Sequence, residues 1–290
     1  MVGGRTIPPG EVHVGDDAAV LAPSVGETLI STDVAVLGVH LDGDLFSLDD
    51  LGFKAVAAAL SDLAAMGGRP RAALVAVSSP PGTDLEALHR GIDEAATISN
   101  CPIVGGDLVE ARLVAVTVTV VGECPTGSAV LRSGARPGDE ILVTGPLGRA
   151  SAGLRRRREG AALDDELVDA HRRPVPRVEE GVSAREAGAH AMMDLSDGLG
   201  LDLHRLADTS GVGFELDTVP SAPGATLEEA TYGGEDYELL IVTNDAARLR
   251  ALFIERSLRA PITIGVVRED ETVRTLEGKP FERRGWQHQF

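Results

Sequence analysis

Two lobes that mix helices and strands, α+β or α/β in class, are what this sequence predicts, and three observations carry the prediction. At 290 residues the chain exceeds a typical single domain. Stretches rich in β-branched residues take turns with stretches of helical spacing along its length. Between Thr126 and Arg132 turn-forming residues break that rhythm, which divides the chain into lobes of residues 1–128 and 129–290. Hydrophobic residues make up 43% and aromatics only 3%, so the cores must be packed with small aliphatic side chains.

The first element, ETLISTDVAVLGVHL at 27–41, is β-branched and reads as a strand that ends in Gly and Asp. In SLDDLGFKAVAAALSDLAAMGG, Ser47 caps a helix, Asp49 and Asp50 support its first turn, and Gly67 and Gly68 close it. RAALVAVSSPPG follows as a strand stopped by two prolines. TDLEALHRGIDEAATISN has an N-cap threonine, early acids and apolar residues at helical spacing, hence a helix. PIVGGDLVEARLVAVTVTVVGEC gives two strands, the second strongly alternating, and this lobe reads as meander-like.

After the break, EILVTG is a short strand entering a glycine-rich corner. Helices are expected around 165–187 and 198–210, then a strand at YELLIVT, a helix at AARLRALFIERSL and a strand at ITIGVV. The basic run Arg155–Arg158 reads as a solvated helix face.

A net charge of −18, from 45 acids against 27 bases, repels phosphate backbones and excludes nucleic acid as the main partner. An anionic substrate would need cations to mediate. No apolar run reaches the roughly 20 residues of a membrane span, so no membrane partner is expected. The opening MVGGRTIPPGEV lacks the pattern of a secretory signal. Cys101 and Cys124, the only cysteines, are too few for a disulfide framework, which makes a reducing cytoplasm the simplest location.

Acids flanked by apolar residues and lying beside Gly, Ser or Thr form a short set: Asp16, Asp17, Asp33, Asp62, Asp107, Asp194, Asp197, Glu235 and Asp236. Brought together they would repel one another, and bound Mg²⁺ relieves that repulsion. Magnesium takes one or two carboxylates plus waters and substrate phosphates, whereas zinc asks for His and Cys, and the seven histidines form no ligand cluster in the sequence. The glycines of VGGD at 104–107 and TGPLG at 144–148 permit close approach of backbone N–H groups to phosphate. Neither is a GxxxxGK[ST] loop, and no GxGxxG follows a strand.

In the order GDDAAV, STDVAVLGVH, KAVAAALSDLAAMG, VGGD, LRSGARPGD, VTGPLG, MMDLSDGL and GGEDYEL, the chain resembles the thiamine-monophosphate kinase family from residue 15 to 240. That family belongs to a superfamily with aminoimidazole ribonucleotide synthetase, selenophosphate synthetase and a hydrogenase-maturation dehydratase. The resemblance implies a two-lobed α+β fold whose N-terminal sheet forms a β-barrel across a homodimer, with an α/β C-terminal lobe. It implies transfer of the γ-phosphoryl group of ATP to the phosphate of thiamine monophosphate, assisted by several Mg²⁺ ions. The attacking group is then the substrate's own phosphate, so no catalytic side chain is expected.

Position by position, the resemblance makes Asp17, Ser31, Thr32, Asp33, Asp62, Asp107, Asp194 and Asp197 metal-binding, some through backbone or hydroxyl oxygen. Gly106, Arg132 and Ser196 match nucleotide-contacting positions, and His40 and Glu235 match substrate-contacting ones. Asp16 is a support residue. Three departures stand out: Leu108, Val109 and Glu110 replace the family's Thr-Thr-Arg, Ala59 replaces an asparagine, and only 14 residues precede Gly15 where an N-terminal helix is usual. The aromatic that covers the thiamine ring aligns with Arg283, leaving Phe281 or Trp286 as stand-ins. Another ATP-dependent member of the superfamily with a different small substrate, or a homologue that binds without turnover, are the alternatives.

Overall fold

The computed structural model describes residues 18–287 together with Pro8, Glu11, His13 and Val14. Asp16 and Asp17 lie outside the described residues. The chain divides into two compact units, residues 1–63 with 68–127, and residues 64–67 with 128–290.

The first unit holds one four-stranded sheet, with β1 (Glu27–Val36), β2 (Arg69–Ser79), β3 (Ile103–Glu110) and β4 (Ala115–Cys124) in the order β1-β4-β2-β3. Helices α1 (Leu48–Ala65) and α2 (Leu85–Ile98) complete it. The expected meander does not form: the antiparallel pairs, β1–β4 and β4–β2, join strands that are not consecutive in the chain, and the consecutive β2 and β3 run parallel because α2 intervenes and returns the chain to its starting end.

The sheet is half-buried by its pleat. Val116, Val118 and Val120 of β4 are buried while the threonines between them are not, and on β1 the side of Ser31 and Asp33 is less exposed than that of Ile30, Thr32 and Val34. α1 is buried on nearly all sides, which explains its long unbroken run of Ala and Leu. Its start is a reciprocal cap: Asp50 N–H donates to Ser47 Oγ at 3.2 Å, and Ser47 N–H donates to the Asp50 carboxylate at 3.1 Å. α1 and α2 touch backbone to backbone, since a Cβ on Gly91 would sit 1.8 Å from the Asp49 carbonyl oxygen.

β1 ends at Val36, five residues earlier than its composition suggests, because Gly38 takes a left-handed φ of 85° and starts a turn in which His40 N–H donates to Val36 O at 2.9 Å.

The second unit contains a seven-stranded sheet ordered β11-β10-β7-β9-β5-β8-β6. Its strands are β5 (Glu140–Val143), β6 (Ala191–Asp194), β7 (Gly213–Leu216), β8 (Leu239–Thr243), β9 (Ile262–Arg268), β10 (Arg274–Leu276) and β11 (Lys279–Pro280). Five of the six pairings are antiparallel, so the alternating helix-strand rhythm produces a mixed sheet rather than the parallel one usual in α/β lobes. Both faces are covered. Ile141, Val143, Met193 and Phe214 belong to one apolar cluster, and Leu142, Met192, Ile241 and Phe253 to another.

Its helices are α3 (Arg149–Arg158), α4 (Glu166–Arg172), α5 (Val178–Ala187), α6 (Leu199–Ser210), α7 (Leu227–Tyr232) and α8 (Ala246–Glu255). The single helix expected over 165–187 is cut in two where Pro174 and Pro176 remove backbone donors. The basic run on α3 is ion-paired: Arg155 meets Glu229 at 2.7 Å, and Arg156 meets Asp165. Cys101 and Cys124 are buried and form no disulfide. Among the described residues no helix is long and apolar enough to cross a membrane.

Candidate functional site

In the first unit the pleat of β1 decides which candidate oxygens are grouped. Ser31 turns toward α1, and its hydroxyl donates to Asp62 Oδ2 at 2.5 Å. Asp33 is on the same side of β1, two residues along, and its Oδ1 accepts the Val34 N–H at 2.8 Å. Thr32 points to the opposite side, where its hydroxyl meets that of Thr119 at 3.1 Å.

Gly106 and Asp107 are on β3, the far edge of the sheet. The register row Asp33, Val118, Val75, Gly106 crosses three strand spacings, roughly 14 Å. Asp107 is therefore not brought beside Asp33 within this unit. Gly106 has a physical reason to be glycine, because a Cβ there would lie 2.0 Å from the Val75 carbonyl oxygen.

His40 sits in the turn after β1. Its Nδ1 accepts the Val36 N–H at 3.0 Å, which places any ring proton of the neutral imidazole on Nε2. The buried Lys54 of α1 donates its ammonium to the His40 carbonyl oxygen at 3.0 Å. Lys54 was not among the sequence candidates, since a lysine inside an apolar helix carries no motif of its own.

The second unit assembles its candidates on two adjoining loops. Asp194 ends β6 and is buried. Past it, Leu195 N–H donates to Glu238 O at 2.8 Å, Tyr237 N–H to Leu195 O at 3.0 Å and Glu235 N–H to Ser196 O at 2.8 Å. The DLSDG and GGEDYE stretches are thus laced together by backbone. Gly198 adopts φ 106°, ψ 147°, a conformation essentially restricted to glycine, and opens α6.

Asp197 is held from three directions. Its N–H donates to Asp202 Oδ2 at 2.9 Å, its carboxylate accepts from Arg205 Nη1 at 2.5 Å, and its carbonyl oxygen accepts the Trp286 N–H at 2.9 Å. Burial pushes the Asp202 carboxyl up to about 6 despite the Asp197 N–H and the Arg205 cation. Neither Asp202 nor Arg205 was picked out from sequence, although their positions in the first two turns after DLSDG point both back at Asp197.

Glu235 takes a left-handed φ of 68°, and its Oε2 lies 3.6 Å from Nδ1 of the buried His171. No sequence signal links these residues. Asp236 accepts from Gly148 N–H at 2.5 Å and Ala150 N–H at 3.0 Å, so donors of the TGPLG corner are engaged by protein rather than open to phosphate. Glu238 is buried and accepts from Arg177 Nη2 at 2.7 Å and from the Thr144 hydroxyl at 2.5 Å. The Arg132 side chain is exposed, on a loop anchored where its carbonyl oxygen accepts from Ser210 at 3.2 Å.

Of the two aromatic stand-ins, Phe281 belongs to the core. It packs 5.8 Å from the ring centroids of both Phe214 and His204. Trp286 is 52% exposed beside the Asp197 carbonyl, and Arg283 is engaged with Asp208 at 2.6 Å.

Among the described residues, no three His, Cys, Asp or Glu side chains gather as a metal cluster. The candidate oxygens instead occur as the Ser31–Asp62 contact and the Asp194–Asp197 loop. Carboxylate and hydroxyl donors in ones and twos fit a hard cation such as Mg²⁺, which completes its shell with water and substrate phosphate.

Models of two known families match the chain. The N-terminal domain of AIR synthase related protein matches residues 15–124, and the C-terminal domain of AIR synthase related protein matches residues 136–276. The thiamine-monophosphate kinase of Bacillus subtilis (strain 168) is 34% identical over 304 residues, covering 96% of this chain and 93% of the relative. The crystal structure of thiamine-monophosphate kinase from Stenotrophomonas maltophilia K279a superposes with a TM-score of 0.83 at 32% identity, covering 92% of this chain and 91% of that one. A structure described as AaThiL complexed with AMPPCP and TMP gives 0.82 at 31% identity, covering 95% and 91%.

Proposed function

From the premise that the chain belongs to the thiamine-monophosphate kinase family, we propose that it transfers the γ-phosphoryl group of ATP to thiamine monophosphate, giving thiamine diphosphate and ADP. The observation that carries this reading is the lacing of the DLSDG loop to the GGEDYE loop, which fixes acids for phosphate-bound cations next to a glutamate for the organic substrate. A phosphate oxygen of thiamine monophosphate forms the new bond to the γ-phosphorus as the bond to the ADP oxygen breaks. The protein's task is to position two anions and to offset their charge.

In this reading Asp33, Asp62, Asp107, Asp194 and Asp197 hold Mg²⁺, Ser31 contributes through its contact with Asp62, and Thr32 through backbone oxygen, since its hydroxyl is turned to the other side of the strand. Asp17 is assigned to the same set from sequence alone. Bound Mg²⁺ would neutralise phosphate charge in the transition state. Arg132, Gly106 and Ser196 contact ATP, the exposed guanidinium of Arg132 being suited to bidentate pairing with phosphate. His40 offers Nε2–H and Glu235 a carboxylate to thiamine monophosphate, and the exposed Trp286 covers its ring.

The side of the four-stranded sheet that bears Ile30, 70% exposed, together with Val34 and Leu74, supports burial against a second copy of the chain, the homodimer barrel. Two buried cysteines without a disulfide support work in a reducing cytoplasm. The test is direct: purified protein with ATP, Mg²⁺ and thiamine monophosphate, followed by chromatography. Thiamine diphosphate is the expected product, and its absence overturns the reading.

A further inference from the structure

Asp236 is an acid of the GGEDYEL stretch with no ligand role, yet its contacts reach a helix start far away in sequence. Its two neighbours, Glu235 and Tyr237, both have left-handed backbones, with φ of 68° and 49°. Such a conformation is unfavourable for side chains of this size and persists only where the surroundings impose it.

The surroundings are visible. Helix α3 begins at Arg149, and the residue in its capping position, Gly148, has no side chain to cap it. Asp236 supplies that cap from 88 positions away, with Oδ2 on the Gly148 N–H and Oδ1 on the Ala150 N–H. The residue keeps some exposed surface while its carboxylate is turned inward onto the positive end of the helix. Two positions further on, the buried Glu238 is fixed by Arg177 and Thr144. With 236 and 238 anchored, residue 235 is held in its turn, its N–H on Ser196 and its partly exposed carboxylate 3.6 Å from His171.

We propose that Asp236 is a positioning residue for substrate recognition: docked on the first turn of α3, it holds Glu235 in the left-handed conformation that presents the Glu235 carboxylate to the organic substrate. This rests on the assignment of Glu235 to thiamine monophosphate and adds to it the residue that sets its geometry. Asp236 touches no ligand itself. Its effect on binding therefore passes through Glu235 and disappears when Glu235 has nothing left to contribute.

A double-mutant cycle reads this out. Thiamine monophosphate is titrated calorimetrically into the wild type, Asp236→Asn, Glu235→Gln and the double variant, with the ATP analogue AMPPCP as a second titrant. Asp236→Asn presents an amide N–H₂ to one of two helix N–H donors, so it is expected to weaken thiamine monophosphate binding by about tenfold. AMPPCP binding should change by less than about twofold, and the double variant should bind thiamine monophosphate within about twofold of Glu235→Gln.

Three results overturn the proposal: Asp236→Asn binding like the wild type, equal losses for both ligands, or the tenfold loss recurring in the Glu235→Gln background. Should Asp236→Asn not fold, Asp236→Ser, a shorter acceptor, enters the same cycle. A wild type that fails to bind thiamine monophosphate at all removes the functional reading first and this proposal with it.

Discussion

Arg205 grips Asp197 and Asp202 with a single nitrogen, Nη1, at 2.5 and 2.9 Å. The guanidinium therefore occupies the carboxylate that is proposed to meet Mg²⁺ and is the cation nearest a buried acid. Arg205→Ala leaves Asp202 buried without that partner, and the expected loss of stability is about 1–2 kcal/mol, discounted for the partial exposure of Arg205. With the competing cation gone, Mg²⁺ should raise the melting temperature of the variant more than that of the wild type. Thermal melts with and without Mg²⁺ check both; an equal rise in the two proteins would separate Arg205 from the metal.

Asp236 predicts a pH signature. Burial pushes its carboxyl up to about 7, above the ordinary value near 4 of an unfolded aspartate. A raised carboxyl resists ionising in the fold, so its contribution is most favourable below about pH 4 and is lost as pH rises to about 7. Asparagine does not titrate. The melting temperature of the wild type relative to Asp236→Asn should fall between pH 4.5 and 7 and level off above; a constant difference would contradict the assignment.

The Ser31–Asp62 contact predicts graded losses. Asp62→Asn removes a charge proposed to hold Mg²⁺ and should lower kcat/KM by about a hundredfold or more, with circular dichroism unchanged. Ser31→Ala leaves the carboxylate but frees it from its hydroxyl partner, and a loss of about tenfold is expected, relieved in part by raising Mg²⁺. If both variants kept wild-type rates at low Mg²⁺, this pair would be removed from the site.

Lys54 reaches the site through backbone. Lys54→Met keeps the apolar stem but deletes the donor to the His40 carbonyl. KM for thiamine monophosphate should rise several-fold while KM for ATP stays put. A matching rise in both would indicate general loosening of the first unit instead.

Much of this was legible in the sequence because local rules govern it: Ser47 and Asp50 cap α1 as their spacing requires, and the alternation of RLVAVTVTVVG became β4. Pairing direction was not legible, since period-2 alternation is the same in parallel and antiparallel strands; hence β2 and β3 differ from the meander reading. The helix expected over 165–187 ignored Pro174 and Pro176, a signal that was present. Candidate acids could be named from their glycine-flanked positions, but their company could not. Nothing in the spacing of Ser31 and Asp62, or of His171 and Glu235, announces contacts at 2.5 and 3.6 Å, because tertiary packing makes them.

The central claim is that a phosphate accepts the phosphoryl group. Phosphorus NMR of the intact protein with ATP, Mg²⁺ and thiamine monophosphate follows both partners at once. The account predicts that the thiamine monophosphate resonance is replaced by the coupled pair of a diphosphate ester as ADP accumulates in equal amount, with no inorganic phosphate. ADP and inorganic phosphate appearing while thiamine monophosphate persists would contradict it.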